Sequence, residues 1–279
     1  MRTIRHFVIV LLLVLLSACS TAVPTVAPTS TPIPSLPTAL PPTTTPTAAP
    51  PTPLPTRPAN TIDLGNHRWI ATHSFMEQNQ MMSYTVQAQW PVVEGVTTPQ
   101  IEQFNLAAQK LVSATLAGFQ QEAPPPLPGM ADNFIYVNYQ IVNADNGLLS
   151  VLFDVSIYTG GAHPNTGYLP LNFDLNTGKA MTFDDVFKPG VDAVSTLAFI
   201  ASEELTRTNR LMFPDGAEPR PENYQVWNFD FNNLIITFGP YQVMPYAAGP
   251  QTVAIPYFRL KDQLKPDSPL ADYWNLTKR

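Results

Sequence analysis

Cysteine is nearly absent: Cys19 is the only one in 279 residues, so no disulfide can form within the chain and no thiolate cluster can hold a metal. Charge is scarce too, at 13% of residues, and positive charge is the scarcer sign, with 15 Lys and Arg against 21 Asp and Glu. Setting aside Arg2, Arg5 and Arg57, residues 61–279 hold 12 bases against all 21 acids, a net of −9. Phosphate recognition needs clustered Lys and Arg, so nucleic acid is not an expected partner. The apolar run at residues 7–16 stops at ten, half of what a bilayer span requires. A Gly-rich phosphate loop, a Gly-x-Ser-x-Gly elbow, a Cys-x-x-Cys pair and a His-x-x-x-His motif are also missing. No cofactor and no metal site is therefore expected.

What is present begins with a targeting pattern. Arg2 and Arg5 precede the run 7–16, the n-region and h-region of a secretory signal. The run ends in Leu16-Ser17-Ala18-Cys19, which resembles the bacterial lipobox, where the cysteine is lipid-modified. That resemblance implies a signal peptide over 1–19, an anchor and not a nucleophile at Cys19, and a lipoprotein on the outer face of the cell membrane. Multiple acylation gives stable attachment where one chain would be marginal. Residues 20–60 read as a stalk, because 21–60 hold 13 of the 31 prolines and 11 threonines with Arg57 the single charge. Such a segment has few backbone donors and no apolar period, and in polyproline II geometry 40 residues reach up to roughly 120 Å.

The remainder reads as α+β, a mainly antiparallel sheet with two long helices, preceded by a smaller strand–helix subdomain. That subdomain, residues 61–126, has a strand at 83–90 ended by Pro91. A helix follows, capped by Thr98 with Pro99 in its first turn, with Ile101, Phe104, Ala108, Leu111, Thr115 and Phe119 on its inner face as far as residue 121. The second part, 127–279, has strands at 134–143 and 148–158 around Asp145-Asn146-Gly147. Strands at 168–174 and 180–183 flank Asn176-Thr177-Gly178. A helix at 191–210, a proline-bearing loop at 214–221, and strands at 225–229, 234–238 and 251–256 complete one sheet.

Candidate ligand-binding residues cluster in two loops. Tyr158-Thr159-Gly160-Gly161-Ala162-His163-Pro164-Asn165 joins two strands, and paired glycines there imply positive φ or a close backbone approach. His163 is a ligand contact, a general base, a metal ligand or a loop-fixing group; a metal would need further ligands, and the other histidines of the later chain, His67 and His73, lie in the leading segment. Phe238-Gly239-Pro240-Tyr241-Gln242-Val243-Met244-Pro245-Tyr246 leads toward Tyr257; Tyr241, Tyr246 and Tyr257 form either a sugar-stacking face or loop packing. Asp184 and Asp185 are an acid–base pair or carboxylates at a helix start. The ligand-binding set is Tyr158, Gly160, Gly161, His163, Asn165, Tyr241 and Tyr246; no residue is assigned as catalytic.

These motifs, with Phe173-Asp174-Leu175-Asn176-Thr177-Gly178-Lys179 and Phe183-Asp184-Asp185-Val186-Phe187 between them, resemble the extracellular domain of the lysozyme-sensing anti-sigma-V factors. That domain, otherwise of unknown function, also precedes the catalytic module of some peptidoglycan deacetylases. The resemblance covers about 134–264, with 82–119 similar to the smaller domain before it. It implies a module outside the membrane that binds a protein ligand. With no cytoplasmic segment before residue 7 and no span, sigma-factor signalling is not expected to carry over, and without His-x-x-x-His or a further module after Leu264 neither is deacetylation. The function expected is a non-catalytic, lipid-anchored cell-envelope module, monomeric, binding cell-wall glycan or a secreted wall-active protein such as lysozyme. The alternative is a peptidoglycan-acting hydrolase using His163 with an acidic partner.

Overall fold

A computed structural model describes residues 54–126 and 132–275. The signal peptide, Cys19 and the stalk as far as residue 53 lie outside the described residues. Seven strands follow one another in a single sheet in chain order: β1 (Ile62–Gly65), β2 (Arg68–Asn79), β3 (Tyr84–Gly95), β4 (Asn133–Asp145), β5 (Leu148–Tyr158), β6 (Asn165–Asp174) and β7 (Lys179–Ala180). Every neighbouring pair is antiparallel except β3 with β4, which run parallel from Tyr84↔Asn133 to Ala88↔Val137. A parallel pair needs a long crossover, and helix α1 (Pro99–Glu122) supplies it. Thr98 caps α1, its hydroxyl accepting the Ile101 N–H at 3.3 Å. The fold is thus α+β with a large, mostly antiparallel sheet, as read from the sequence.

Four details depart from the sequence reading. Strands β1 and β2 occupy 62–79, where no strand is expected. Pro91 does not end its strand: β3 continues to Gly95 against β2, with Pro91 opposite Thr72. The β3–β4 ladder stops at Ala88, so beyond it β3 has one strand neighbour only. Pro91 points its nitrogen to the same unpaired side as Val93, where a missing N–H costs nothing. The Asn105 side chain covers that side, accepting the Val93 N–H at 2.8 Å and donating to its carbonyl at 2.9 Å. In α1 the buried stripe is Ile101, Phe104, Ala108, Val112, Leu116 and Phe119, one residue on from Leu111 and Thr115 in the middle turns. Finally, β7 is two residues long, and Phe183 opens the single turn α2 (Phe183–Val186).

The last three strands do not complete the large sheet. After α3 (Ala193–Arg207), strands β8 (Trp227–Phe229), β9 (Asn233–Phe238) and β10 (Gln251–Pro256) form their own antiparallel sheet in the order β10-β9-β8. A short helix, α4 (Ala271–Trp274), follows. Two apolar cores result. One packs α1 on the large sheet around Phe104, Val112, Ile135, Val151 and Phe153. The other gathers Leu197, Tyr224, Phe229, Ile236, Phe238, Tyr257 and Leu260. Each fully buried large side chain contributes about 1.5–3 kcal/mol.

The cores meet across buried polar groups. Asn228 donates to Ser150 Oγ at 2.8 Å and to the Val151 carbonyl at 3.1 Å. Ser150 donates to Asn172 Oδ1 at 2.7 Å, and Asn172 donates to the Trp227 carbonyl at 2.8 Å. Nearby, Asn143 donates to the Tyr273 hydroxyl at 3.0 Å. Amides buried this way are worth having only when partnered, so they hold the three-stranded sheet in one position on β5 and β6.

Candidate functional site

Two loops bring the predicted residues together. Between β5 and β6, Gly160 (φ +96°) and Gly161 (φ +111°) turn the chain with left-handed backbone. A Cβ at either would meet nothing within 4 Å, so of the two readings positive φ holds and close approach does not. Tyr158, whose ring stacks on Phe134 at 5.5 Å, donates its hydroxyl to the Gly161 carbonyl at 3.2 Å. His163 then lies flat on Tyr246, ring centroids 3.8 Å apart and planes 17° apart. Its Nδ1 donates to the Pro164 carbonyl at 2.9 Å, which also accepts the Tyr246 hydroxyl at 2.9 Å. The Tyr241 hydroxyl stands 3.5 Å from the His163 Nε2.

Tyr241 carries the local anomaly. The Gln242 N–H donates to the Gly239 carbonyl at 3.1 Å, closing a turn with Pro240 and Tyr241 at its centre. Tyr241, the second central residue, has φ +67°, as in a type II turn, where that position is normally glycine. A bulky residue in that region costs roughly 1–3 kcal/mol. The turn is clamped: Gln242 Oε1 accepts the Gly239 N–H at 3.0 Å, and its Nε2 donates to the carbonyls of Gly216 and Asn223 at 3.0 and 3.1 Å. Gly216 is the one residue type that fits, since a Cβ there would stand 1.8 Å from the Gln242 carbonyl oxygen. The clamp presents a Tyr241 ring that is 58% exposed, 5.5 Å from Tyr246. Gly239-Pro240 signals the turn in the sequence, but nothing there identifies Gln242 or Gly216 as its anchors.

The other candidates fall elsewhere. Asn165 is exposed at the start of β6, opposite Ile157. Tyr257 is no part of an aromatic face: it is 3% exposed in the second core, its hydroxyl donating to the Asp230 carbonyl at 2.8 Å, and burial pushes its pKa up. Asp185 closes a capping box, its Oδ2 accepting from the Thr182 N–H and hydroxyl at 2.8 and 2.9 Å. His73 belongs to a separate cluster. It sits 3.0 Å from Glu94, which also accepts from the Trp69 ring N–H at 3.2 Å; the hydrogen bond from His73 holds the Glu94 carboxyl below the usual carboxylate range. Among the described residues no carboxylate is hydrogen-bonded to His163, no group of three or more His, Cys, Asp or Glu could hold a metal ion, and no helix is long and apolar enough to cross a membrane.

Two family models match the chain. Residues 77–166 match one described as Deacetylase PdaC, and residues 184–258 match one described as a protein of unknown function (DUF3298). The first contributes Tyr158 to Asn165 and the second Tyr241 and Tyr246, so the aromatic cluster forms where the two matched segments meet. Among curated proteins the chain is 30% identical over 138 residues to the peptidoglycan-N-acetylmuramic acid deacetylase PdaC of Bacillus subtilis, covering 48% of this chain and 30% of that protein. It is 28% identical over 149 residues to the immunogenic protein MPT64 of Mycobacterium tuberculosis, covering 53% and 63%. To the esterase Rv3036c of the same organism it is 30% identical over 101 residues, covering 35% and 44%. The chain thus spans less than two thirds of each of these relatives. A crystal structure of a DUF3298 member from Bacteroides fragilis aligns at a TM-score of 0.48 and 14% identity, over 74% of this chain and 97% of that one.

Proposed function

We propose that this chain is a non-catalytic cell-envelope module, anchored to the outer face of the membrane through lipid on Cys19. It binds a cell-wall component or a wall-cleaving enzyme such as lysozyme on the surface formed by His163, Tyr241 and Tyr246. The carrying observation is Tyr241: a clamped left-handed turn spends stability to hold an exposed aromatic ring against a half-buried histidine. Strain held by surrounding structure is a mark of functional positions, and exposed tyrosines are favoured anchors at binding surfaces. A relative whose name places it on peptidoglycan supports the envelope setting. The net −9 of residues 61–279 favours a cationic, lysozyme-like ligand over an anionic wall polymer, since opposite charge steers association. The relatives named deacetylase and esterase keep the hydrolase reading in the test.

The test uses the full-length chain in detergent, with a C-type lysozyme and purified peptidoglycan as probes. Wild type binds one of them; Tyr241→Gly binds at least tenfold more weakly yet folds at least as stably, because glycine suits φ +67°. His163→Ala stays folded and also binds more weakly. Absence of binding to both probes defeats the proposal. Release of soluble muropeptides by wild type but not by His163→Ala replaces it with the hydrolase.

A further inference from the structure

Away from the aromatic cluster, two opposite charges line one small cleft without meeting. Arg68 opens β2, opposite Gly65 of β1 and Gly95 of β3. Its Nε is buried with no hydrogen-bond partner, and the guanidinium takes part in none of the ion pairs of the described residues. Buried donors almost always find a partner, and arginine presents five in a fixed fork, so Arg68 is under-partnered in this fold; its Nε is closed to solvent, and the terminal N–H groups of this half-buried side chain are the ones left for a ligand. The cleft beside it, about 190 Å³, is lined by Arg68, Asp63, Asp145, Asn146 and the apolar Leu64 and Leu175. A second, of about 280 Å³, shares Arg68 and Asp63. Asp63 is already engaged: its Oδ1 accepts the Gly65 N–H at 2.8 Å and its Oδ2 lies 3.5 Å from Arg57. Asp145 is exposed, and among the described residues no side-chain hydrogen bond or ion pair takes up its carboxylate.

An anion alone would meet Arg68 favourably and two carboxylates unfavourably; a cation alone would face the reverse. A ligand carrying both charges satisfies the cleft. The volume corresponds to about six waters at ~30 Å³ each, below the ~300–1,000 Å³ of pockets for drug-sized molecules, so the ligand is small. The geometry points to a site for the zwitterionic head of an aliphatic amino acid. Its carboxylate lies on the Arg68 fork, its ammonium faces Asp145, and its side chain rests on Leu64 and Leu175. This site is independent of the aromatic surface and survives failure of the function proposed for it.

Titration calorimetry on the full-length chain in detergent tests it with four probes: D-leucine, L-leucine, leucine amide, which lacks the carboxylate, and 4-methylpentanoate, which lacks the ammonium. Leucine of at least one hand binds, and both truncated probes bind at least tenfold more weakly. Arg68→Gln lowers leucine affinity at least tenfold, and Arg68→Lys does not restore it, for want of the fork. Asp145→Asn lowers leucine affinity while leaving 4-methylpentanoate unchanged or tighter, and carries the test should Arg68→Gln fail to fold. Equal binding of 4-methylpentanoate and leucine to wild type reduces the cleft to a plain anion site and overturns the proposal, as does the absence of leucine binding at millimolar concentration.

Discussion

The two cores are built by different means from similar material. The core under α1 uses long regular elements: a helix of 24 residues laid on strands of 10 to 13, with inward residues recurring at the period of each element. The core under α3 has strands of three to six residues and is closed by single turns, with Tyr224, Tyr257 and Tyr273 each tying a hydroxyl to a carbonyl of the chain. Left-handed backbone occurs in both: Asn66, His67, Ser83 and Asn146 turn the hairpins of the large sheet, and Tyr241 lies in the segment leading out of β9. The difference is in the side chain that carries it, a small or polar one or His67 at the hairpin turns, and an exposed tyrosine ring beside the second core.

The most severe way to break that comparison is to empty each core in turn. Phe104→Ala and Phe238→Ala should each cost about 3–5 kcal/mol, both rings being fully buried. Because buried amides join the cores, unfolding in urea should remain a single transition for both, coincident by far-UV circular dichroism and by tryptophan fluorescence. The probes are well placed, with Trp69 and Trp90 on the β2–β3 hairpin and Trp227 and Trp274 in the later elements. Two separate transitions would make the cores independent units.

A smaller effect sharpens the join itself. Asn228→Ala removes the side-chain donor to Ser150 Oγ and to the Val151 carbonyl, leaving Ser150 Oγ only the Phe229 N–H at 3.2 Å, at roughly 1–3 kcal/mol. Asn228 Oδ1 is itself buried without a partner, so part of the amide's value is already offset. A midpoint unchanged in urea would mean that apolar contact alone holds the sheets together. Smallest is the half-buried Glu94 of β3. Its carboxyl pKa is lowered in the folded state, so its stabilisation is present above the unfolded value and is lost as pH falls through the folded one. Glu94→Gln should flatten that acid limb of a stability–pH profile by under about 1 kcal/mol, as for solvent-accessible pairs. An identical profile for the variant would remove His73–Glu94 from the account.

Legibility in the sequence followed the same division. Thr98-Pro99 placed the start of α1, and Asp145-Asn146-Gly147 placed the β4–β5 turn, where Asn146 and Gly147 have φ of +53° and +74°. Strand β2 was hidden because Thr72 to Met76, apart from half-buried neighbours at its ends, faces solvent on both sides and shows no alternation to read. Pro91 misled because its tolerance depends on where the β3–β4 ladder stops, a tertiary fact. Strands β8, β9 and β10 were located well, yet their assignment to the large sheet failed, since pairing among distant strands is not written in the period of any one of them. For the site, Gly160, Gly161 and His163 were readable as a loop of interest. The stacking of His163 on Tyr246 joins residues 83 apart, and the Arg68–Asp145 cleft joins residues 77 apart, beyond the reach of local pattern.

One contact sets an order on events in the life of the molecule. The Tyr273 hydroxyl reaches Asn143 across 130 residues and the Asp145 carbonyl across 128, while its ring meets Phe229, Phe231 and Tyr257. The meander from β1 to β7 assembles from neighbours in the chain, whereas this tyrosine is among the last described residues to emerge from synthesis. Until it docks, the β4–β5 turn lacks its cover and three aromatic rings lack their lid. Long-range closure of this kind is slow relative to hairpin formation, because loop entropy is lost before the contact repays it. A nascent chain of this protein therefore keeps one protease-sensitive opening until its last turn has docked, and loss of that turn should read out as faster proteolysis of an otherwise assembled sheet.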